Sequence, residues 1–509
     1  MDHALSFDAQ ITSTSDISPA TRNLDETTIP LSIIDCTVSY FSRCACVFFF
    51  DPPAEPEAPI AVSHLKKSLS ATLDAYRQWC GRLSYTTPRK DGGHTTRYRR
   101  INVTFNMASP TGIPFVTAVS PRSLSDFIPA SDERRTSSKA WDVSELPATE
   151  LVPKTPLSLS RPATEDSPNV LVQYTSFSCG SSALGIAITH GLADAQSLAT
   201  FVKDWAVTSR AMLDSPSLPE LQPLFEPGLL DQQAAGDIDA SVPDMAIVQK
   251  ARDLPCLRQD WYLDTPGNPS TMRPSDWSSQ DLTSLSPGVP IKWESWNFKA
   301  KLSHQILHFS SAKIQNLSQS ASDRFPGQAL SKLEILLAHL WQCIAGARQV
   351  EQDQMTLTLS LRSRLGLPAR FLGSPIMLAA VPCPVTAPVI HDTLQKFTPD
   401  AIKAHLHDAA FEVSPHRLWQ AMLGSKSMIV TTWLHLDLNQ LDFGPGMGSV
   451  RFALPEMGGD GLIEIMETPG LVQGKWWEKG VDVMCVLEEQ AMRRMLSDKD
   501  LFGGGSHLG

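Results

Sequence analysis

The chain has no apolar run long enough to cross a bilayer. Its longest purely apolar stretches, such as residues 45–50, are far short of the roughly 20 residues a membrane helix needs. Residues 1–28 are polar and rich in Ser and Thr, without the basic-then-apolar order of a secretion signal. The expected compartment is therefore the cytoplasm, with no membrane association. Positive charge is scarce: the net charge is −11, only 19% of residues are charged, and no basic stripe appears, so no nucleic-acid partner is expected. Nine cysteines, an odd number scattered through 509 residues, do not make a disulfide framework and read as small apolar residues in a reducing compartment. There is no G-x-S-x-G elbow, no P-loop, no H-E-x-x-H and no paired C-x-x-C, which removes the simplest hydrolase, ATPase and metal sites. No metal is expected, and monomer is the default assembly.

The length exceeds one ordinary core, and a 42% hydrophobic fraction is enough to fill two. Residues 1–28 read as a flexible leader. Residues 29–215 follow as a first domain, with strands at 31–35 and 44–50, the second closed by Asp51-Pro52-Pro53. Leu65, Leu69, Leu73, Tyr76, Cys80 and Leu83 fall on one face of a helix over 65–83, with Ser63 as its N-cap. Residues 216–300 shift towards Pro, Ser, Asp and Gln, including Thr265-Pro266-Gly267-Asn268-Pro269, and read as a long crossover connection with mobile parts. A second domain spans 301–509. Ser331 and Glu334 form a capping box ahead of a helix with an apolar face of Leu333, Leu337, Leu340, Trp341 and Ile344. Residues 355–361 alternate as a half-buried strand and end at Arg362-Ser363-Arg364, where two guanidiniums invite an anionic partner. Residues 427–438 are strand-like around Trp433, residues 441–448 form a glycine-rich turn, and a strand at 481–487 and a helix at 488–496 close the domain before a disordered glycine tail.

The stretch with most chemistry in it is 171–205. An apolar strand over 183–189 runs into His190-Gly191-Leu192-Ala193-Asp194, and Leu198, Phe201, Val202 and Trp205 then repeat at helical spacing. A histidine at such a strand-to-helix junction is open to two readings, a presented catalytic side chain or a partly buried hydrogen-bonding one. Asp194 is by itself an ordinary N-cap.

Six blocks in order decide how this junction is read. They are Leu31-Ser32-Ile33-Ile34-Asp35; the 65–83 helix ending Gly81-Arg82-Leu83; residues 177–201 with H-x-x-x-D; the helix from Ser331 to Trp341; Leu361-Arg362-Ser363-Arg364; and Asp442-Phe443-Gly444-Pro445-Gly446. Together they resemble the BAHD acyltransferases, coenzyme-A-dependent enzymes of plant and fungal natural-product metabolism. The resemblance implies an α/β fold of two chloramphenicol-acetyltransferase-like domains, each a mixed sheet flanked by helices, joined by a long crossover loop. It implies a channel between the domains, with acyl-CoA as co-substrate and a small-molecule acceptor entering from opposite faces.

By the same resemblance His190 is the general base, taking the acceptor's proton as imidazole is suited to do near neutral pH. Thr431, Thr432 and Trp433 lie where the family stabilises the oxyanion and positions substrate. Asp194 would pair with Arg362 rather than touch substrate, and Asp442 and Gly444 would be structural. Lys313, Ser331, Lys332 and Arg364 are candidates for the CoA phosphates by position, with plain surface solvation as the other reading of the lysines. Pro445 replaces the family's tryptophan, and His435 stands where many plant hydroxycinnamoyl transferases carry an arginine that grips an acidic acceptor. These departures resemble fungal secondary-metabolite acetyltransferases, so the expected reaction moves an acetyl group from acetyl-CoA to a hydroxyl, less readily an amine. Two alternatives remain: a condensation domain using carrier-bound acyl groups, whose paired histidine is here Thr189, and a non-catalytic binding homologue.

Overall fold

The computed structural model describes residues 6–38, 43–54, 57–89, 92–97, 99–108, 112–130, 133, 139–155, 167–215, 217–260, 288–419, 424–455, 458–469 and 474–503. Two mixed sheets form its frame. In the first, six strands run in the order Gln10–Ile17, Ile113–Ser120, Val170–Phe177, Ser182–Thr189, Arg43–Phe50, Val450–Pro455. In the second, seven run Ile376–Pro382, Gln354–Ser360, Ser427–Thr432, Leu462–Glu467, Val481–Glu488, Leu302–Phe309, Ala140–Asp142.

The sheets exchange edge strands. Val450–Pro455, from the second half of the chain, pairs with Arg43–Phe50, while Ala140–Asp142, from the first half, pairs with Leu302–Phe309. Each exchange covers backbone groups that a bare sheet edge would leave open. A division at residue 300 therefore does not separate the two sheets.

Ser182–Thr189 is buried along its whole length because it has neighbours on both edges and packing on both faces. Gly185 lets Leu151 approach it: an added Cβ would lie 2.0 Å from the Leu151 carbonyl oxygen. The strand hands over to a helix, Ala195–Asp214, that buries Leu198, Phe201, Val202 and Trp205 against the first sheet and Val62–Thr72. Burying each of these four side chains is worth about 1.5–3 kcal/mol. A second core lies under the helices of the second sheet, and a third, with Ala45, Val47, Phe49, Ile429, Leu462 and Met484, fills the space between the sheets.

Several local expectations are corrected. Gln10–Ile17, inside the expected leader, pairs antiparallel with Ile113–Ser120 and closes the first sheet. Residues 31–35 are a buried turn leading into the single helical turn Asp35–Val38, because Asp35 bonds back to Ser32 instead of extending. The 65–83 helix stops at Thr72 and continues as two 3-10 turns; Tyr76 leaves helical geometry to donate its hydroxyl to Asp204 and to meet Trp79 at a tilt and Phe201 edge-to-face. Gly81 begins no further turn, and Arg82–Tyr85 is a strand.

The crossover is docked where it is described. It carries the helix Met245–Arg252; the buried ion pairs Arg258–Asp408, Arg258–Glu412 and Arg417–Asp260 and the partly exposed pair Arg252–Asp408 fasten it to the second half, where Arg417 and Glu412 also pair with each other. Leu224 adds backbone bonds to Arg370 and Leu372. The Pro-Gly run at 265–269 and the tail from 504 lie outside the described residues.

Candidate active site at the seam of the two sheets

Residues 190–197 of the first half meet Arg362 and Phe371–Ser374 of the second at the end of Ser182–Thr189. His190 is the first residue beyond the strand and is half-buried. Its Nδ1 lies 3.0 Å from the hydroxyl oxygen of Ser374, and that hydroxyl donates to the His190 carbonyl oxygen. Trp419 meets the imidazole edge-on, with centroids 6.1 Å apart. Burial pulls the imidazole pKa below its ordinary value, against an opposing hydrogen bond with its own backbone and the nearby charge of Asp194. The ring is neutral at neutral pH, the form in which it can accept a proton.

Asp194 lies four residues on and is buried. Its carboxylate caps the helix by accepting from the Ser197 amide at 2.9 Å, and Arg362 forks onto both of its oxygens, Nη2 to Oδ1 at 2.9 Å and Nη1 to Oδ2 at 2.5 Å. The rest of the guanidinium is used as well: Nε donates to the Phe371 carbonyl at 3.0 Å and Nη2 to Ser197 Oγ at 2.9 Å. Arg362 stands at the end of Gln354–Ser360, where the fork reaches across to the first half.

The segment Phe371–Ser374 is held from every side. The Asp194 amide donates to the Gly373 carbonyl at 3.0 Å, Ser197 Oγ donates to the same carbonyl at 2.8 Å, and the Ser374 amide donates to Asp35 Oδ1 at 2.6 Å. Gly373 has φ +127°, and a Cβ there would sit 2.9 Å from Asp35 Oδ1, so glycine alone fits. Asp35 is fully buried, which raises its carboxyl to about 7 despite hydrogen bonds from Ser32 and Ser374. Ser374, Ser197 and the role of Asp35 have no local signature: Leu372-Gly373-Ser374-Pro375 reads as an ordinary turn.

Other sequence candidates fall elsewhere. Thr431 and Trp433 share the face of Ile429 that looks towards the first sheet, whereas Thr432 is exposed and accepts from the Leu434 amide. Ser427–Thr432 ends before residue 438 because the chain turns at His435 and Asp437, both with positive φ, their amides held by Glu467. Asp442 caps the Gly444 amide at 2.9 Å, and Phe443 packs on Trp205 and Phe50. Gly444 faces Leu213, eighteen residues into the helix that starts beside His190, roughly 27 Å along its axis. The turn therefore braces the far end of that helix.

One cofactor candidate is withdrawn. Lys313 is buried, its ammonium donating to the carbonyls of Asp500 and Gly503 at 2.8 Å each, so it pins the C-terminal helix instead of facing a phosphate. Ser331 is exposed, and its Oγ accepts from the Glu334 amide in the capping box, which leaves its O–H able to donate. Lys332 is half-buried beside Ser318 and the Trp477 ring, and Arg364 is half-buried with one bond to the Phe397 carbonyl. Among the described residues no group of His, Cys, Asp and Glu is placed to hold a metal ion, and no helix is long and apolar enough to cross a membrane.

Comparison with known proteins places this arrangement. The Transferase family description matches residues 7–501. Acyltransferase AFT15-1 of Alternaria alternata is 26% identical over 525 aligned residues, covering 96% of this chain and 96% of its own. Among solved structures, vinorine synthase superposes with TM-score 0.60 at 17% identity, covering 98% of this chain and all of its own. TRI101 of F. graminearum, complexed with ethyl coenzyme A, gives TM-score 0.60 at 13% identity over 94% of this chain and 98% of its own. At these identities the structural likenesses speak for the fold.

Proposed function

Since the chain belongs to the Transferase family of BAHD acyl-CoA-dependent acyltransferases, we propose that His190 is the general base of a direct acyl transfer from acetyl-CoA to a hydroxyl of a small secondary metabolite. The observation that carries this reading is the seam itself. A neutral, half-buried imidazole from the first half is bonded to Ser374 of the second, and Arg362 fastens the two halves together one turn further on.

The imidazole takes the hydroxyl proton as the oxygen attacks the thioester carbonyl carbon. A C–O bond forms and the carbonyl oxygen becomes an oxyanion, for which Thr431 is the proposed donor. Collapse breaks the C–S bond, and the imidazolium returns its proton to the departing thiolate, leaving ester and free CoA. Asp194 takes no part in the proton transfer, because its oxygens are held by Arg362 and the Ser197 amide. Ser331, Lys332 and Arg364 are retained as proposed phosphate contacts. Glu467 gathers the amides of His435 and Asp437 where an acid-gripping arginine would stand, which favours an acceptor without a carboxylate.

The test is release of free thiol over a panel of acyl-CoAs and alcohols, with products read by mass spectrometry. Turnover of acetyl-CoA that disappears in His190→Ala is expected. Activity confined to acyl groups on a carrier protein would refute the CoA reading, and undiminished product formation by His190→Ala would refute the base.

A further inference from the structure

The geometry points to Ser374 as a positioning residue that holds His190 in the tautomer with its proton on Nδ1 and its lone pair on Nε2. The inference rests on the base assignment for its consequence, but its argument is independent. Ser374 Oγ contacts two groups, the His190 carbonyl oxygen and His190 Nδ1 at 3.0 Å. A hydroxyl has one proton, and a carbonyl oxygen can only accept. The Ser374 proton therefore lies towards the carbonyl, and the same oxygen can only accept from the ring. Nδ1 carries hydrogen, so Nε2 is the nitrogen left free to receive a proton from the acceptor.

The serine is itself located from outside the histidine loop. Its amide is bonded to Asp35 Oδ1 at 2.6 Å, it is fully buried, and the preceding Gly373 carbonyl receives the Asp194 amide and the Ser197 hydroxyl. Ser374 therefore ties the tautomer of a first-half histidine to the docking of a second-half loop. If the halves separate at this point, the hydroxyl leaves and the ring keeps only the bond to its own backbone, which weakens the preference for one tautomer. This also gives the buried Asp35 a purpose: it fixes where the serine stands.

The experiment is two-bond nitrogen–proton correlation NMR of the full chain labelled with nitrogen-15 histidine at neutral pH, with the His190 signals assigned by their loss in His190→Ala. The wild type is expected to show the Nδ1-protonated form. Ser374→Ala is expected to raise the Nε2-protonated population, and Ser374→Thr, which keeps the hydroxyl, to restore the wild-type pattern. With acetyl-CoA and a panel alcohol that the wild type turns over, Ser374→Ala is expected to lose kcat about 10- to 100-fold, the range seen for outer hydrogen-bond partners of metal-bound histidines. A wild-type Nε2-protonated ring, or a Ser374→Ala protein with unchanged tautomer, would overturn the inference. The base assignment fails separately, and only if His190→Ala keeps its activity. Ser374→Thr serves as the folded reference should the alanine variant not fold.

Discussion

Replacing Asp194 by alanine separates a carboxylate that does chemistry from one that holds the site. Arg362 is 4% exposed, and its carboxylate partner among the described residues is Asp194. After the substitution the guanidinium keeps neutral acceptors, the Phe371 carbonyl and the Ser197 hydroxyl, but its charge stays buried and uncompensated. Breaking one side of a buried pair costs about 3–5 kcal/mol. Losing the cap on the Ser197 amide adds about 1 kcal/mol. The sum, about 4–6 kcal/mol, is comparable with the whole stability of many proteins, 5–15 kcal/mol. Asp194→Asn keeps an equally good cap but leaves the same guanidinium buried without a counter-charge, with an amide NH2 in place of one of its acceptors, so about 3–5 kcal/mol is expected without the cap term. Adding Arg362→Met to Asp194→Ala removes both charges, so the double variant is expected to recover stability, with a coupling energy of roughly 1–3 kcal/mol. Urea unfolding followed by tryptophan fluorescence, beside thiol release at the same temperature, measures all of this. An Asp194→Ala protein that unfolds at the wild-type midpoint yet has no activity would falsify the bracing role and make Asp194 a participant in the reaction. Strictly additive single and double variants would deny the pair.

Three further outcomes follow from other parts of the molecule. Because burial lowers the His190 pKa, kcat/KM is expected to rise with pH through an acid limb below about 6.5 and to be level at neutrality; an acid limb centred above that value contradicts the site's electrostatics. Glu464 is fully buried with both oxygens unbonded, and burial raises its carboxyl well above the ordinary range, so the native state holds a proton that the unfolded chain has lost. Stability from this group is present below about pH 4.5 and falls as pH rises, by up to about 1.4 kcal/mol per pH unit, until the raised pKa is passed. Glu464→Gln is expected to flatten that dependence between pH 5 and 8, and parallel denaturation profiles for variant and wild type would reject the assignment. For the CoA side, Lys332→Ala and Arg364→Ala are expected to raise KM for acetyl-CoA several-fold with kcat nearly unchanged, whereas Lys313→Ala should lower thermal stability and leave KM alone; a reversed pattern would return Lys313 to the binding site.

What could be read from the residues follows their sequence range. The 183–189 strand, the helix after Asp194, the capping box at Ser331 and the 355–361 strand rest on periodicity and caps within one element, and each is present with ends shifted by a few residues. The 65–83 helix shows the limit. Its apolar spacing is real and every one of those residues is buried, but Tyr76 gains more from Asp204, 128 residues away, than from another helical turn. Residues 31–35 fail as a strand for the same reason, since Asp35 is committed to Ser32 and Ser374.

The sequence by itself determined that a histidine stands at a strand-to-helix junction with an aspartate capping the helix, because both facts need only a few consecutive residues. The resemblance carried by the six blocks pointed to Arg362 as the partner of Asp194; the bidentate fork across 168 residues is a property of the folded chain. Only the tertiary structure decided that Ser374, 184 residues from His190, faces its Nδ1, that Asp35 holds Ser374 from 339 residues away, and that Lys313 pins the C-terminal helix. Such contacts depend on how two sheets dock and exchange edges, and no local pattern of apolar and polar residues encodes that register.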